Sequence, residues 1–281
     1  MPAARFSCAH LNLSYRVFVT QQARRSITTT SPKPTRFRPL RSRDHQIGTG
    51  SSMTKNPQPP SQSSASQDTS GSSHPLDFAL ARNKAWVYQT RNSDPDLFAR
   101  IGSGQSPEIL WIGCADSRIP ETTVLGLKPG DVFVHRNIAN IVNATDLSAL
   151  SVIHYAVVHL KVKHVIVCGH TSCGGVAGAL GNARLGILDS WLQPLRQVRA
   201  QHTAELEALA PAERALRLSE LGVRHSLEVL RQNADVIDAV TERGLQLHGL
   251  IFNVGTGELS VLDEEEGETE KEVRGKAFAL K

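Results

Sequence analysis

The chain has 281 residues, enough for one domain of about 200 residues with appendages, and is moderately apolar with few aromatics. No apolar run approaches the roughly 18 residues of a membrane-spanning helix. The net charge of +4 conceals an asymmetry: residues 1–60 hold ten Lys and Arg against one acid, Asp44, and the rest is mildly acidic, so the basic balance gives no argument for nucleic-acid binding.

The leader has no acid before Asp44, is rich in Arg, Ser and Thr, and opens with a stretch that can form a basic amphipathic helix. This is the composition of a mitochondrial transit peptide, so residues 1–43 are expected to direct the protein to the matrix and be removed, taking Cys8 with them. Residues 44–74 read as a Ser/Pro/Gln-rich linker that cannot bury a core. The folded domain is expected over 75–281.

Two short helices are expected first. "DFALARNKAWVYQTRN" has helical spacing, and "DPDLFARIGSG" begins with an Asp cap and ends in glycines. Neither carries enough apolar surface to stand alone, so both should lie on the sheet or on another subunit. "EILWIGCADSR" is a short apolar strand ending in a polar turn, "GDVFVHRN" a second strand, and "DLSALSVIHYAVVHL" a helix. "HVIVCGH" is apolar on both faces, as in a buried parallel sheet. Residues 176–243 read as mostly helical, "LQLHGLIFNV" as a fourth strand, and "GELSVLD" as its partner across a Gly-Thr-Gly turn. The tail from Asp263 reads as charged and loosely held. Strands alternating with helices give an α/β fold: a mostly parallel sheet of about four strands plus an edge strand, flanked by helices.

Three cysteines remain in the body, Cys114, Cys168 and Cys173. An odd number under reducing conditions argues against a disulfide framework. Ligands of open parallel sheets bind beyond the carboxyl ends of the strands. Cys114 ends the first strand; His170 and Cys173 follow the third. If those strands are neighbours, two thiols and an imidazole converge, a donor set that suits Zn²⁺ and leaves a fourth position open. Cys168, inside its strand, reads as a small buried hydrophobe. Asp116 and Arg118 follow Cys114 at two-residue steps, placing a carboxylate held by arginine next to the site. From spacing alone, catalytic zinc, structural zinc and a metal-free cysteine hydrolase with His170 as base all stay open.

"CADSR" at 114–118, "HRNIAN" at 135–140 and "GHTSCGG" at 169–175 resemble the signature motifs of the β-class carbonic anhydrases, over roughly residues 75–262. The resemblance implies a zinc enzyme that interconverts carbon dioxide and bicarbonate through zinc-bound hydroxide. Cys114, His170 and Cys173 would be the ligands and Asp116 and Arg118 the catalytic dyad, with Asp116 a conditional fourth ligand in a closed state. It further implies a homodimer, often assembled to a homotetramer, whose N-terminal helices embrace the partner. A carbon dioxide pocket would lie between subunits, with Gln105 as amide donor, Phe133 and Ile138 as apolar wall and Tyr155 as its tyrosine; without the resemblance, Phe133, Ile138 and Tyr155 read as core packing. The Gly174 and Gly175 N–H groups are placed to donate to a carboxylate oxygen, the alternative being that these glycines only permit the turn. In some relatives a second pocket binds inhibitory bicarbonate; Trp111, Arg136 and, more weakly, Phe252 align with it. A carbon disulfide or carbonyl sulfide hydrolase on the same scaffold, or a non-catalytic zinc protein, are the rival functions. No histidine stands out as a proton shuttle.

Overall fold

The computed structural model describes residues 74–263 and 267–278, so the expected targeting segment and nearly all of the expected linker lie outside the described residues. The elements run α1 (Pro75–Ser93), α2 (Leu97–Gly102), β1 (Ile109–Cys114), α3 (Glu121–Val124), β2 (Val132–Asn137), a tight 3-10 turn (Ile138–Asn140), α4 (Leu147–His154) and a wide π turn (Tyr155–His159). There follow β3 (His164–His170), α5 (Gly174–Leu180), α6 (Ile187–Trp191), α7 (Gln193–Gln201), α8 (Thr203–Glu207), α9 (Pro211–Arg231), α10 (Ala234–Arg243), β4 (Gln246–Phe252), β5 (Leu259–Val261) and α11 (Glu268–Phe278).

One sheet has the order β2-β1-β3-β4-β5, with β2, β1, β3 and β4 parallel and β5 antiparallel to β4. It agrees with the expected four strands and edge. Period-two alternation sends successive residues to opposite faces, and both faces are covered. Leu110, Ile112, Val165 and Val167 pack with Ile153, Ala156, Val157, Val223 and Leu227. Trp111, Ile166 and Cys168 pack with Val176, Leu195, Val198, Leu218 and Leu221. This is why β1 and β3 read as unbroken apolar runs. Each fully buried large side chain contributes about 1.5–3 kcal/mol.

Three local details differ from expectation. Asp96 precedes α2 without a side-chain cap bond; Asp94 instead takes a bidentate pair from Arg100 at 3.0 Å and Lys128 Nζ at 2.8 Å. The helix from Leu147 widens at Tyr155, where the Leu160 N–H reaches the Tyr155 carbonyl five residues back at 3.0 Å. The charged tail forms a helix, α11. As one of the two expected arrangements requires, α1 buries no residue on its own chain, leaving Phe78 63% and Tyr88 70% exposed.

Three half-buried histidines, His135, His225 and His248, are held below the ordinary histidine pKa, in each case chiefly by burial. Unfolded, they return to about 6.5. Below that pH the unfolded chain binds protons that the folded chain refuses. Their contribution is therefore present above about pH 6.5 and is lost as pH falls through the folded values. The melting temperature is expected to drop between pH 7.5 and 5.5, and His225→Gln to flatten part of that drop; an unchanged slope in the variant would remove His225 from the account.

Candidate active site and metal centre

Cys114 ends β1 and His170 ends β3. The register Ile109↔His164 through Gly113↔Cys168 makes the two strands neighbours. A turn through Ser172, at φ 57, then brings Cys173 back to the start of α5. The Sγ atoms of Cys114 and Cys173 and a ring nitrogen of His170 all lie within 4.8 Å of one another, and the three residues are buried. The His170 Nδ1 sits 2.9 Å from the Thr171 carbonyl, which only accepts, so Nδ1 carries the proton. That leaves Nε2 as a lone pair, buried and without a hydrogen-bond partner. A buried polar atom without a partner is costly, and a metal between the two sulfurs would satisfy it.

The two sulfurs act as a hydrogen-bonded pair. The Cys114 thiol is pushed down to about 4, first by its bond from Cys173 and further by His170 and the backbone N–H groups of Asp116 and Ala139; Cys173, its partner, is pushed up. One proton is thus shared where a metal would take both charges. Cys168 behaves as an inert core thiol, 1% exposed and pushed up to about 12 by burial.

Asp116 and Arg118 meet beside this cluster. Arg118 donates Nε to Oδ1 at 2.9 Å, Nη2 to Oδ2 at 2.7 Å and its backbone N–H to Oδ1 at 2.9 Å. Its Nη2 also reaches the Ser172 carbonyl at 3.1 Å, tying the pair to the turn that carries Cys173. These bonds from Arg118 hold the carboxyl well below the usual carboxylate range. Asp116 Oδ2 is 4.0 Å from His170 Nε2, next to the cluster but turned away toward Arg118.

The other expected pocket residues divide into two groups. Ile138 and Gly175 are at the cluster. A Cβ on Gly175 would lie 2.9 Å from both Ile138 Cγ2 and Ala139 Cβ, so glycine here permits close packing of α5. Gly174 has open space where its Cβ would be. Gln105, Phe133 and Tyr155 are not brought to the cluster of their own chain. Gln105 is exposed, before the start of β1 and at the opposite end of that strand from Cys114, a span of roughly 20 Å. Phe133 pairs with Leu110, four register positions short of Cys114, and stacks on Tyr155 with ring centroids 5.6 Å apart.

The second-pocket residues also separate. Arg136 is engaged in the site: Nε donates to the Cys114 carbonyl at 2.9 Å, Nη2 to the Asp116 carbonyl at 2.5 Å, and Nη1 lies 3.7 Å from Glu121. It clamps the turn carrying Cys114 and Asp116, a role that spacing along the chain does not reveal. Trp111 is buried, its indole Nε1 without a partner and folded over Gly113, where any Cβ would stand 2.2 Å away. Phe252 pairs with His170, two strands across from Trp111 and four register positions further along, and is buried in the same core cluster as Trp111.

Strained backbone concentrates here. Ala139 and Asn140, both buried, have φ of 61° and 47°. Such conformations cost L-residues about 1–3 kcal/mol each and persist only where surroundings hold them. What is gained is a hydrogen bond from the Ala139 N–H to Cys114 Sγ at 3.4 Å.

Residues 109–259 match the family model described as carbonic anhydrase. The chain is 49% identical over 189 residues to a carbonic anhydrase of Emericella nidulans, covering 66% of this chain and 83% of that one, and 41% identical to one of Candida albicans, covering 69% and 70%. Among solved structures it is similar to a β-carbonic anhydrase of Aspergillus fumigatus, at 56% identity and TM-score 0.71, covering 72% of this chain and 98% of the other. It is also similar to a tetrameric β-carbonic anhydrase of Sordaria macrospora, at 50% identity and TM-score 0.66, with 67% and 97% covered.

Proposed function

Because this chain belongs to the β-class carbonic anhydrase family, we propose that it hydrates carbon dioxide reversibly to bicarbonate and a proton, using zinc held by Cys114, His170 and Cys173. The observation that carries the reading is the meeting of two thiols and the unpartnered His170 Nε2 beside an ion-paired Asp116. Two thiolates and a neutral imidazole are a donor set for Zn²⁺ with one position left for solvent. Zinc bound there would acidify a coordinated water and stabilise negative charge on the product.

The protein's own groups do the rest. Asp116 receives the proton at Oδ2, and Arg118 keeps that carboxylate ionised and aimed. The same pair holds Asp116 off the fourth position. Ile138 offers apolar surface to a substrate without charge. Gln105, Phe133 and Tyr155 are read as the contribution of each subunit to the cluster of another, which their distance from the cluster of their own chain supports. The exposed Leu76, Phe78, Leu80 and Tyr88 of α1, which find no cover in their own chain, fit an arm laid on a neighbouring subunit, and dimers or tetramers are the assemblies we propose. The leader directs the protein to the mitochondrial matrix in this reading; a reporter fused behind residues 1–43 should enter mitochondria, and a cytosolic reporter would remove the assignment.

Stopped-flow hydration of carbon dioxide, with and without a strong chelator, tests the activity. Turnover that disappears with the metal and returns with zinc is expected, from particles of at least dimeric mass. Carbon disulfide hydrolysis without carbon dioxide hydration would replace the reading, and a fully active monomer would remove the shared pocket.

A further inference from the structure

Helix α9 carries two buried serines two turns apart, Ser219 and Ser226, on a face otherwise made of Leu218, Leu221, Val223, Leu227 and Leu230. A hydroxyl inside a helix often turns back to a carbonyl of its own helix. Here both reach outward, one to the end of β3 and one to the turn that follows β2. Ser219 Oγ donates to the carbonyl of His170 at 3.3 Å. Ser226 Oγ donates to the carbonyl of Asn140 at 3.3 Å and accepts the Val142 N–H at 3.2 Å. The Ser226 contacts therefore hold the far end of the left-handed pair Ala139–Asn140, whose N–H at Ala139 points at Cys114 Sγ. On its other side the same turn is fixed by Asn137, whose Oδ1 accepts the Ile141 N–H and whose Nδ2 donates to the Ile141 carbonyl, each at 2.8 Å.

We propose that Ser226, together with Ser219, is a positioning residue for the metal centre: from α9 it pins the left-handed turn that delivers the Ala139 N–H to the Cys114 sulfur, while Ser219 fixes the end of β3 behind His170. The inference rests on Cys114 and His170 being metal ligands. Its physical content is specific. Left-handed alanine and asparagine relax unless held. Without the Ser226 hydroxyl, the Asn140 carbonyl and the Val142 N–H lose their shared partner, and the cheapest relief is rotation of the turn. That rotation swings the Ala139 N–H off the sulfur. An N–H donated to a thiolate both orients it and withdraws charge from it, and outer partners of this kind are worth roughly 10–100-fold in metal affinity.

The test uses the full-length protein and reads the metal directly. Zinc affinity is measured by competition with a chromophoric chelator, and cobalt-loaded protein reports its sulfur-to-metal charge-transfer band. Ser226→Ala is expected to bind zinc about tenfold more weakly and to shift that band, with Ser226→Cys, a weaker donor of similar size, in between. Leu227→Ala is the control: it opens a cavity in the same helix face, lowers the melting temperature, and should leave zinc affinity and the band unchanged. Wild-type affinity and band in Ser226→Ala would overturn the proposal, as would an equal loss of zinc in Leu227→Ala, which would reduce the serine to packing. Should Ser226→Ala not fold, Ser219→Ala is read by the same two measurements, with the same outcomes deciding. Cys114→Ser retaining full zinc would instead bring down the ligand assignment, and is recognisable as that separate failure.

Discussion

Cys173→Ser is expected to fold, to lose most of its zinc and to lose nearly all turnover. Cys173 starts α5 and faces Cys114 and His170 with all three ligand atoms inside 4.8 Å. Serine is close in size, so the buried turn should survive; the charge will not. Cys114 is pushed down to about 4 through its bond from Cys173, so one thiolate is already favoured, and a metal would need the second. A serine hydroxyl does not give up its proton near neutral pH. The metal would keep one thiolate and one imidazole, with less charge to offset its desolvation. Loss of a direct ligand should exceed the 10–100-fold typical of outer partners. Elemental analysis should fall from about one zinc per chain to a small fraction, with circular dichroism unchanged. A variant that keeps both metal and rate would sink the ligand set.

The strands that carry this set were readable because their chemistry is local. β1 and β3 are apolar on both faces, which marks a covered parallel sheet, and a parallel sheet puts both carboxyl ends on one edge. Cys114, Asp116, Arg118, His170 and Cys173 all lie at those ends, and the pairing of β1 with β3, which the strands by themselves do not state, brings them together. The parts that escaped depend on contacts remote in sequence or on conformations that residue type does not announce. Ala139 and Asn140 adopt left-handed φ with no glycine to signal it. Ser226 reaches Asn140 across 86 residues, inside a helix whose pattern reads as plain amphipathic packing. Arg136 resembled an anion ligand by alignment, yet its guanidinium is engaged with the Cys114 and Asp116 carbonyls. The place of Phe252 depends on the register between β4 and β3, which a single strand does not contain. Gln105, Phe133 and Tyr155 carry no periodic signal that separates a pocket wall from core packing.

Asp116→Asn should keep its zinc and lose about 10²–10⁴-fold in rate, the usual worth of a positioned general base. Three hydrogen bonds from Arg118 hold the Asp116 carboxylate, two on Oδ1 and one on Oδ2. Asparagine keeps the shape but must set an NH₂ against either the guanidinium or the cluster, and has no charge with which to accept a proton. If the pair were only a surface ion pair, its loss would cost at most about 1 kcal/mol of stability and leave the rate alone. The two accounts therefore separate cleanly in one stopped-flow measurement on zinc-replete protein, and wild-type turnover would sink the dyad. Arg118→Ala distinguishes positioning from charge. It removes the guanidinium that holds the carboxylate low and frees Oδ2, now 4.0 Å from His170 Nε2, to turn into the cluster. Activity should fall, and the loss should deepen as pH is lowered, because a carboxylate without its arginine returns toward the ordinary range near 3.9 and competes better for the fourth position once solvent there is protonated. The double variant Asp116→Asn/Arg118→Ala should then be little worse than Asp116→Asn alone, since an arginine that acts through the aspartate has nothing left to position.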